Sequence, residues 1–168
     1  DELEMFFRLS ADLLCVASLD GYFLRVNPAW AHVFGYDDAT LKASPFLDFV
    51  HPEDRASTVE AVSVLTTGTR LINFENRYRA RDGSYRWLLW TVAPKGSLLF
   101  GAARDITEAK AKQQQLERYA RELELAQRVE MDNAARLTQL VRELEIAKAR
   151  AEEATAAKGQ FLANMSHE

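Results

Sequence analysis

The chain has 168 residues, a formal net charge of −4 and a hydrophobic content of 48%. This length suits one ordinary domain plus an extension, and the slightly acidic balance gives no reason to expect nucleic-acid binding. The single cysteine, Cys15, excludes an intrachain disulfide. No run of about 18 apolar residues occurs, so we expect no membrane contact for this chain and a cytoplasmic location.

The composition changes sharply near Thr107. All prolines, all tryptophans and every glycine except Gly159 precede it, whereas strong helix formers dominate the residues that follow. We therefore expect an N-terminal capping helix over residues 1–14, a compact mixed domain over 15–107 and one long helix beyond. Both ends look like cuts from a longer protein, and a membrane anchor upstream in that protein stays open.

The compact domain should begin with a hairpin and a short helix. Apolar runs at 14–18 and 22–26 flank an Asp-Gly pair, which is a turn signal because glycine adopts positive φ at little cost. A helix should follow, with Asn27 as its N-cap and Pro28 in the first helical position.

A longer helix is predicted from Pro52, since proline is tolerated in the first turn and acidic residues follow it directly. Its apolar stripe would consist of Val59, Val62 and Leu65. Gly68 would end this helix.

Three strands should complete the domain. Residues 71–80 alternate, which predicts one shared face for Ile72, Phe74, Asn76 and Tyr78. Residues 85–92 are almost continuously apolar, so both faces of that strand should be covered, and 98–104 form the last strand. The order of elements predicts the α+β class, with a five-stranded antiparallel sheet and helices over one face.

Several short motifs occur in a fixed order at characteristic spacings. They are Asp20-Gly21, Asn27-Pro28-Ala29, Gly35-Tyr36, His51 to Asp54, Arg79 with Asp82-Gly83-Ser84 and Trp87, and Asp105-Ile106-Thr107. Together they resemble the PAS sensor domains over residues 8–107. The resemblance implies a ligand-sensing or dimerising module with a pocket between sheet and helices. It also implies that Asp105, Ile106 and Thr107 couple the domain to the next helix, with Asp105 paired to a basic residue.

The content of this pocket stays open at the sequence level. The candidate lining residues are Phe74, Asn76, Tyr78, Trp87, Leu89 and Phe100. One interpretation is a small-molecule ligand bound among them. The other is a filled core in which the apolar members pack on one another.

Two cofactors are disfavoured by the residues present. A flavin photoreceptor of the LOV type needs a reactive cysteine in an N-C-R-F-L-Q-like helix, whereas Cys15 falls on the first strand. Haem needs an axial ligand inside the pocket. His51 lies at a helix N-terminus, where capping explains it, and His32 falls on an exposed helix. We therefore expect neither group and assign no cofactor to the PAS domain.

The segment 108–157 carries a seven-residue apolar period and no proline, so a continuous helix of about 1.5 Å per residue is expected. The period predicts a parallel dimeric coiled coil. Its a column is Leu116, Leu123, Glu130, Leu137 and Leu144, and its d column is Tyr119, Ala126, Asn133 and Leu140. The alternative is one helix packed back on its own domain.

The core columns contain a polar layer at Glu130 and Asn133. Polar core positions lower the stability of a coiled coil and can set its register or permit switching. We hypothesise that, because of this polar layer, two packing arrangements of the coiled coil differ by only a few kcal/mol in free energy. The sensor domain could then favour one of them.

The chain ends on Phe-Leu-Ala-Asn-Met-Ser-His-Glu, residues 161–168. Imidazole is a good nucleophile near neutral pH, and an adjacent carboxylate can accept a proton. All eight residues resemble the phosphoacceptor box of sensor histidine kinases, which implies that 158–168 open a dimerisation and phosphotransfer domain. The alternative is a surface His-Glu pair at a frayed helix end.

By this resemblance, His167 would attack the γ-phosphate of ATP held with Mg²⁺ by a separate domain, and Glu168 would accept a proton. The phosphoryl group would then pass to an aspartate of a response regulator. The present chain lacks the ATP-binding domain and should be inactive alone. Two alternatives stay open: a dimerisation scaffold whose PAS domain binds nothing, and a PAS regulator of another output such as a nucleotide cyclase.

Overall fold

The computed structural model describes residues 2–167. The chain divides into a globular unit, residues 1–113, and a helical unit, residues 114–168. In chain order the helices and strands are α1 (Glu2–Leu9), β1 (Leu13–Ser18), β2 (Phe23–Val26), α2 (Ala29–Phe34), α3 (Asp38–Ala43), α4 (Arg55–Thr66), β3 (Leu71–Arg79), β4 (Tyr85–Lys95), β5 (Leu98–Asp105) and α5 (Thr107–Ser166). Across residues 2–167, no helix is both long and apolar enough to cross a membrane.

The strands form one antiparallel sheet in the order β2-β1-β5-β4-β3. The predicted α+β class and the long C-terminal helix are therefore confirmed. The N-terminal helix is shorter than the predicted 1–14, because Leu13 already belongs to β1, and none of the described residues of α1 is buried.

The core lies between the sheet and α2 to α4. Along β4 the buried residues are Leu88, Trp90 and Val92, and they alternate with partly exposed neighbours. The prediction that both faces of this strand are covered was therefore wrong. Apolar residues occupy both faces of β4, but only one face packs into the core. The apolar run alone therefore could not show which face is buried.

Asn27 does not cap α2, contrary to the prediction, because Pro28 holds that position without a side-chain bond. The Asn27 side chain is buried and accepts a hydrogen bond from the Leu14 N–H at 3.0 Å. It donates to the carbonyls of Ser10 and Asp12 at 3.3 and 2.9 Å. Asn27 therefore ties the end of β2 to the start of β1.

Helix α4 packs on the core through two of the three predicted residues, since Leu65 is buried and Val62 packs against the core. It buries Thr58, Ala61 and Leu65, whereas Val59 is 54% exposed. A 3-10 turn over Pro52–Asp54 precedes the helix. Within the predicted stripe only Val59 was wrong, because it lies about 100° round the helix from the buried Thr58 and is exposed.

Strand β3 contains a bulge at Asn73, which has a φ of 58°. The extra residue interrupts the alternation, and Ile72 is 60% exposed instead of sharing the inner face. Asn76 and Tyr78, beyond the bulge, are buried on that face.

Candidate functional site

A cavity of ≈ 60 Å³ lies between α4 and the inner face of the sheet. Three of the predicted pocket residues, Phe74, Asn76 and Tyr78, line it. Residues that line the cavity but were not predicted to do so include Cys15, Thr58, Ala61, Leu65, Trp90 and Leu99.

Trp87, Leu89 and Phe100, which were also predicted to line the pocket, do not. Trp87 and Leu89 alternate with the buried Leu88 and Trp90 and so lie on the opposite face of β4. Phe100 is 43% exposed on β5. The predicted cluster of these three residues with Phe74 is therefore not the core.

A chain of hydrogen bonds crosses one wall of the cavity. The Trp90 indole N–H donates to Asn76 Oδ1 at 2.8 Å, and Asn76 Nδ2 donates to Thr58 Oγ1 at 3.1 Å. The Thr58 hydroxyl donates in turn to the Asp54 carbonyl at 2.7 Å. These bonds satisfy the buried polar groups and join β4 and β3 to the beginning of α4.

Two further polar side chains of the cavity, Cys15 and Tyr78, are buried and uncharged. Burial raises the pKa of Cys15 to about 12 and raises the pKa of Tyr78 well above its usual value. Gly101 is needed beside the thiol, because a Cβ there would lie 2.9 Å from Cys15 Sγ. The Cys15 thiol is therefore a packed, neutral group.

Arg77 joins β3 to the N-terminus of α4. Its backbone N–H, Nε and Nη2 donate to the Asp54 carboxylate at 2.8, 2.8 and 2.7 Å, and Nη2 also reaches Glu53 at 2.9 Å. These hydrogen bonds hold the pKa of Asp54 below its usual range and raise the pKa of Arg77.

The Trp87 ring contacts two cations on the outer face of the sheet. Arg77 Cζ is 5.1 Å from a ring centroid of Trp87, and Lys110 Nζ, in the first turns of α5, is 4.9 Å from it. Lys110 also forms an ion pair with Glu75 of β3. Cation–π contacts of this kind stabilise by about 0.5–1 kcal/mol each at exposed sites.

The backbone of Trp87 holds the beginning of α5. Its N–H donates to Thr107 Oγ1 at 2.9 Å, and its carbonyl accepts from the Ile106 N–H at 2.9 Å. Asp105 Oδ1 accepts from the Thr107 N–H and hydroxyl at 3.0 and 2.6 Å. The predicted coupling residues Asp105, Ile106 and Thr107 therefore lie at the junction of β5, β4 and α5.

The basic partner of Asp105 is Arg86, whose Nη1 lies 3.0 Å from Asp105 Oδ2. Among residues 2–167, Arg86 Nε is the one fully buried side-chain nitrogen or oxygen atom that has no hydrogen-bond partner. The sequence contained no local signal for this pair, since the two residues are brought together by the register of β4 with β5.

His51 caps the 3-10 turn, as its Nδ1 accepts from the Glu53 N–H at 3.2 Å. The ring packs edge-on against Tyr85, with centroids 4.5 Å apart. It does not line the cavity, and His32 is exposed on α2. Within residues 2–167, no three His, Cys, Asp or Glu side chains are grouped as they would be around a metal ion.

In the helical unit, every described residue is exposed. The predicted a and d residues are included, with Leu144 at 70% and Leu137 at 63% exposure. His167 is exposed just beyond the end of α5, and Glu168 lies outside the described residues. The coiled coil and the roles of both residues stay predictions.

Comparisons with known proteins agree with the globular fold. A family model described as the PAS fold matches residues 23–96. No curated protein matches the chain.

Solved structures of three organisms share this fold. A domain of a sensory box sensor histidine kinase/response regulator from Geobacter sulfurreducens has 20% identity and a TM-score of 0.56, covering 62% of this chain and 91% of that one. The PAS domain of an HTR-like protein from Haloarcula marismortui has 25% identity and a TM-score of 0.53, covering 62% and 95%. The PAS domain of a Colwellia psychrerythraea protein has 23% identity and a TM-score of 0.57, covering 64% and 99%. The chain therefore contains a domain with the PAS fold.

Proposed function

We propose that the chain is the sensing and signal-transmitting part of a two-component sensor histidine kinase. The PAS domain would control ATP-dependent phosphorylation of His167 through a homodimeric coiled coil. One observation carries the proposal. Helix α5 is 60 residues long and includes the beginning of the phosphoacceptor-like octapeptide, and the residues of its heptad columns are exposed.

The exposed columns argue for a second helix. An isolated helix gains little from propensity, so a long one usually owes its stability to burial of an apolar stripe. The stripe has the narrow a/d spacing of a coiled coil. In a parallel pair, Glu143 would occupy a g position and face Lys148 at the next e position of the partner helix, so opposite charges would meet.

The octapeptide supplies the proposed chemistry. A ring nitrogen of His167 would attack the γ-phosphorus of ATP, the bond to the bridging oxygen would break, and ADP would leave. Glu168 would accept the proton released from the ring. A separate domain of the parent would hold ATP and Mg²⁺, and catalysis would rest on positioning and charge neutralisation. The phosphoryl group would then pass to an aspartate of a response regulator.

The globular unit supports the proposed sensing role. The hydrogen bonds from Trp90 to Asp54 begin at the cavity wall and end at the residue that binds Arg77. Arg77 and Lys110 contact the same tryptophan ring, and Lys110 belongs to α5. A change in the cavity can thus alter the first turns of the signalling helix. A solved domain of this fold from a sensor histidine kinase shows that the fold occurs in such proteins.

The test uses the parent protein with its ATP-binding domain. Incubation with γ-³²P-ATP should give one acid-labile, alkali-stable phosphate, and His167→Gln should remove it. His32→Gln, which changes an exposed histidine of α2, should leave labelling unchanged. Label that persists in His167→Gln would contradict the proposal. Absence of label together with cyclic-nucleotide synthesis would favour the alternative output.

A further inference from the structure

We propose that protonation of His51 moves the carboxylate of Glu53 from Arg77 to the imidazole ring, so that the contact between β3 and the beginning of α4 responds to pH near neutrality. The inference goes beyond the proposed function, because it gives the globular unit an input that needs no bound molecule. The exchange can be measured without any kinase activity.

The His51 ring is neutral in the arrangement that the structure shows. Its Nδ1 accepts the N–H of Glu53 at 3.2 Å, which requires a free lone pair on that nitrogen, so the ring proton lies on Nε2. Histidine side chains titrate between about pH 5 and 8. On protonation, the Nδ1 lone pair takes a proton from solvent. The hydrogen bond from the Glu53 N–H then breaks, because two donors would face each other.

The Glu53 carboxylate can accept the new Nδ1–H bond. Its Oε2 lies 3.9 Å from His51 Nδ1, and the same oxygen accepts from Arg77 Nη2 at 2.9 Å. The Glu53 side chain is 74% exposed, so little packing opposes its rotation. The His51 side chain is only 21% exposed, and its ring packs edge-on against Tyr85. The carboxylate, rather than the ring, is therefore the group that moves.

Arg77 keeps its other partner when Glu53 leaves. Its backbone N–H, Nε and Nη2 all donate to the Asp54 carboxylate, which is 15% exposed. The guanidinium therefore stays beside the Trp87 ring, with Cζ 5.1 Å from the ring centroid, but it loses one neutralising charge. Its cation–π attraction to the ring becomes stronger. Because Lys110 of α5 contacts the same ring, the change reaches the beginning of α5.

Glu53 differs from the other charged groups around His51, because it can pair with the ring and with Arg77 in turn. Asp54 is held by the hydrogen bonds from Arg77, which, together with the charge of a protonated His51, keep the pKa of Asp54 below its usual range. Arg55 donates through Nε to the Val50 carbonyl at 3.3 Å. The charged or titratable residues that the neighbouring elements place near His51 are Glu53, Asp54 and Arg55 at the beginning of α4, Arg77 and Arg79 of β3, and Tyr85 of β4.

The test follows the full chain by NMR from about pH 5.5 to 8, a range above the ordinary pKa values of carboxylic acids, about 3.9–4.3. We expect the ring protons of His51, the amide of Glu53 and the indole N–H of Trp87 to shift with one common midpoint. An unchanged Glu53 amide or Trp87 indole signal, while the His51 ring titrates, would overturn the inference.

Two variants separate the exchange from a general effect of pH. His51→Asn keeps a side-chain acceptor for the Glu53 N–H but cannot titrate, so it should abolish the shifts of Glu53 and Trp87. In Glu53→Gln the His51 ring should still titrate, but most of the Trp87 shift should be lost, because no carboxylate can leave Arg77. His32→Gln, at an exposed histidine of α2, is the matched control and should leave all three signals titrating as in wild type.

A Trp87 shift of wild-type size in either His51→Asn or Glu53→Gln would contradict the exchange. The Glu53 side chain is largely exposed, so Glu53→Gln should fold even if His51→Asn does not. These measurements do not involve phosphorylation of His167, so their failure is separate from failure of the phosphorylation test.

Discussion

Asn27 illustrates how much one side chain contributes to this domain. It is buried, and it satisfies one backbone N–H and two backbone carbonyls where β1 and β2 begin and end. No apolar residue of similar size can replace these bonds. Removal of the carboxamide would leave backbone groups unpaired in the interior.

We predict that Asn27→Ala lowers the free energy of unfolding by about 2–4 kcal/mol. Urea titration followed by tryptophan fluorescence measures it, because all three tryptophans lie in the globular unit. Asn133→Ala changes the same residue type at an exposed position of α5. It should change the free energy of unfolding of the globular unit by no more than about 0.5 kcal/mol. A similar midpoint for Asn27→Ala and wild type would refute the role of Asn27.

At the scale of elements, the ion pair of Asp54 with Arg77 fixes α4 to β3. The two side chains are 15% and 22% exposed, so solvent screens the pair less than it screens a surface pair. The hydrogen bonds from Arg77 stabilise the charged form of Asp54 and lower its pKa in the folded protein. Its contribution to stability is therefore present above the unfolded-state pKa of about 3.9. It is lost as the pH falls through the lower folded-state value.

Asp54→Asn should therefore destabilise the protein at pH 7 by about 1–3 kcal/mol, the range for hydrogen bonds to charged groups. The difference from wild type should shrink below about pH 4, where Asp54 of the unfolded state begins to bind a proton, and it should be lost once the pH falls through the lower folded-state pKa. Thermal unfolding across pH 3–7 would measure both effects. Asp38→Asn breaks an exposed pair with Lys42 and should change stability little at any pH. A penalty for Asp54→Asn that is independent of pH would rule out the ion pair as its cause.

At the scale of the whole molecule, the helical unit requires a partner under the proposed function. The heptad columns interleave leucines with the polar layer at Glu130 and Asn133, so the dimer would be held mainly by Leu116, Leu123, Leu137, Leu140 and Leu144. The proposed switching between two packings depends on the weakness of the polar layer.

Sedimentation equilibrium should show a dimer for the wild-type chain. Leu140→Lys would remove two buried leucines per dimer and bury two charges, so the dissociation constant should rise at least about a hundredfold. Ile146→Lys, outside the a and d columns on the same helix, should change it far less. Equal effects of the two variants, or a monomer at every concentration, would exclude this coiled coil.

Local signals in the sequence determined much of the molecule. Gly35 ends α2 with a φ of 75°, a conformation that glycine adopts at little cost. Asp37 caps α3, where its side chain accepts from the Thr40 N–H. Each signal acts within one turn of the chain, so no knowledge of distant residues was needed.

The sequence by itself also determined the fold class, the long helix and the octapeptide that ends on His167 and Glu168. Only the tertiary structure decided that Trp90 rather than Trp87 faces the cavity, since alternation shows which residues share a face but not which face is covered. It likewise decided the pairing of Arg86 with Asp105, because that contact depends on the register between β4 and β5, which neither strand encodes alone.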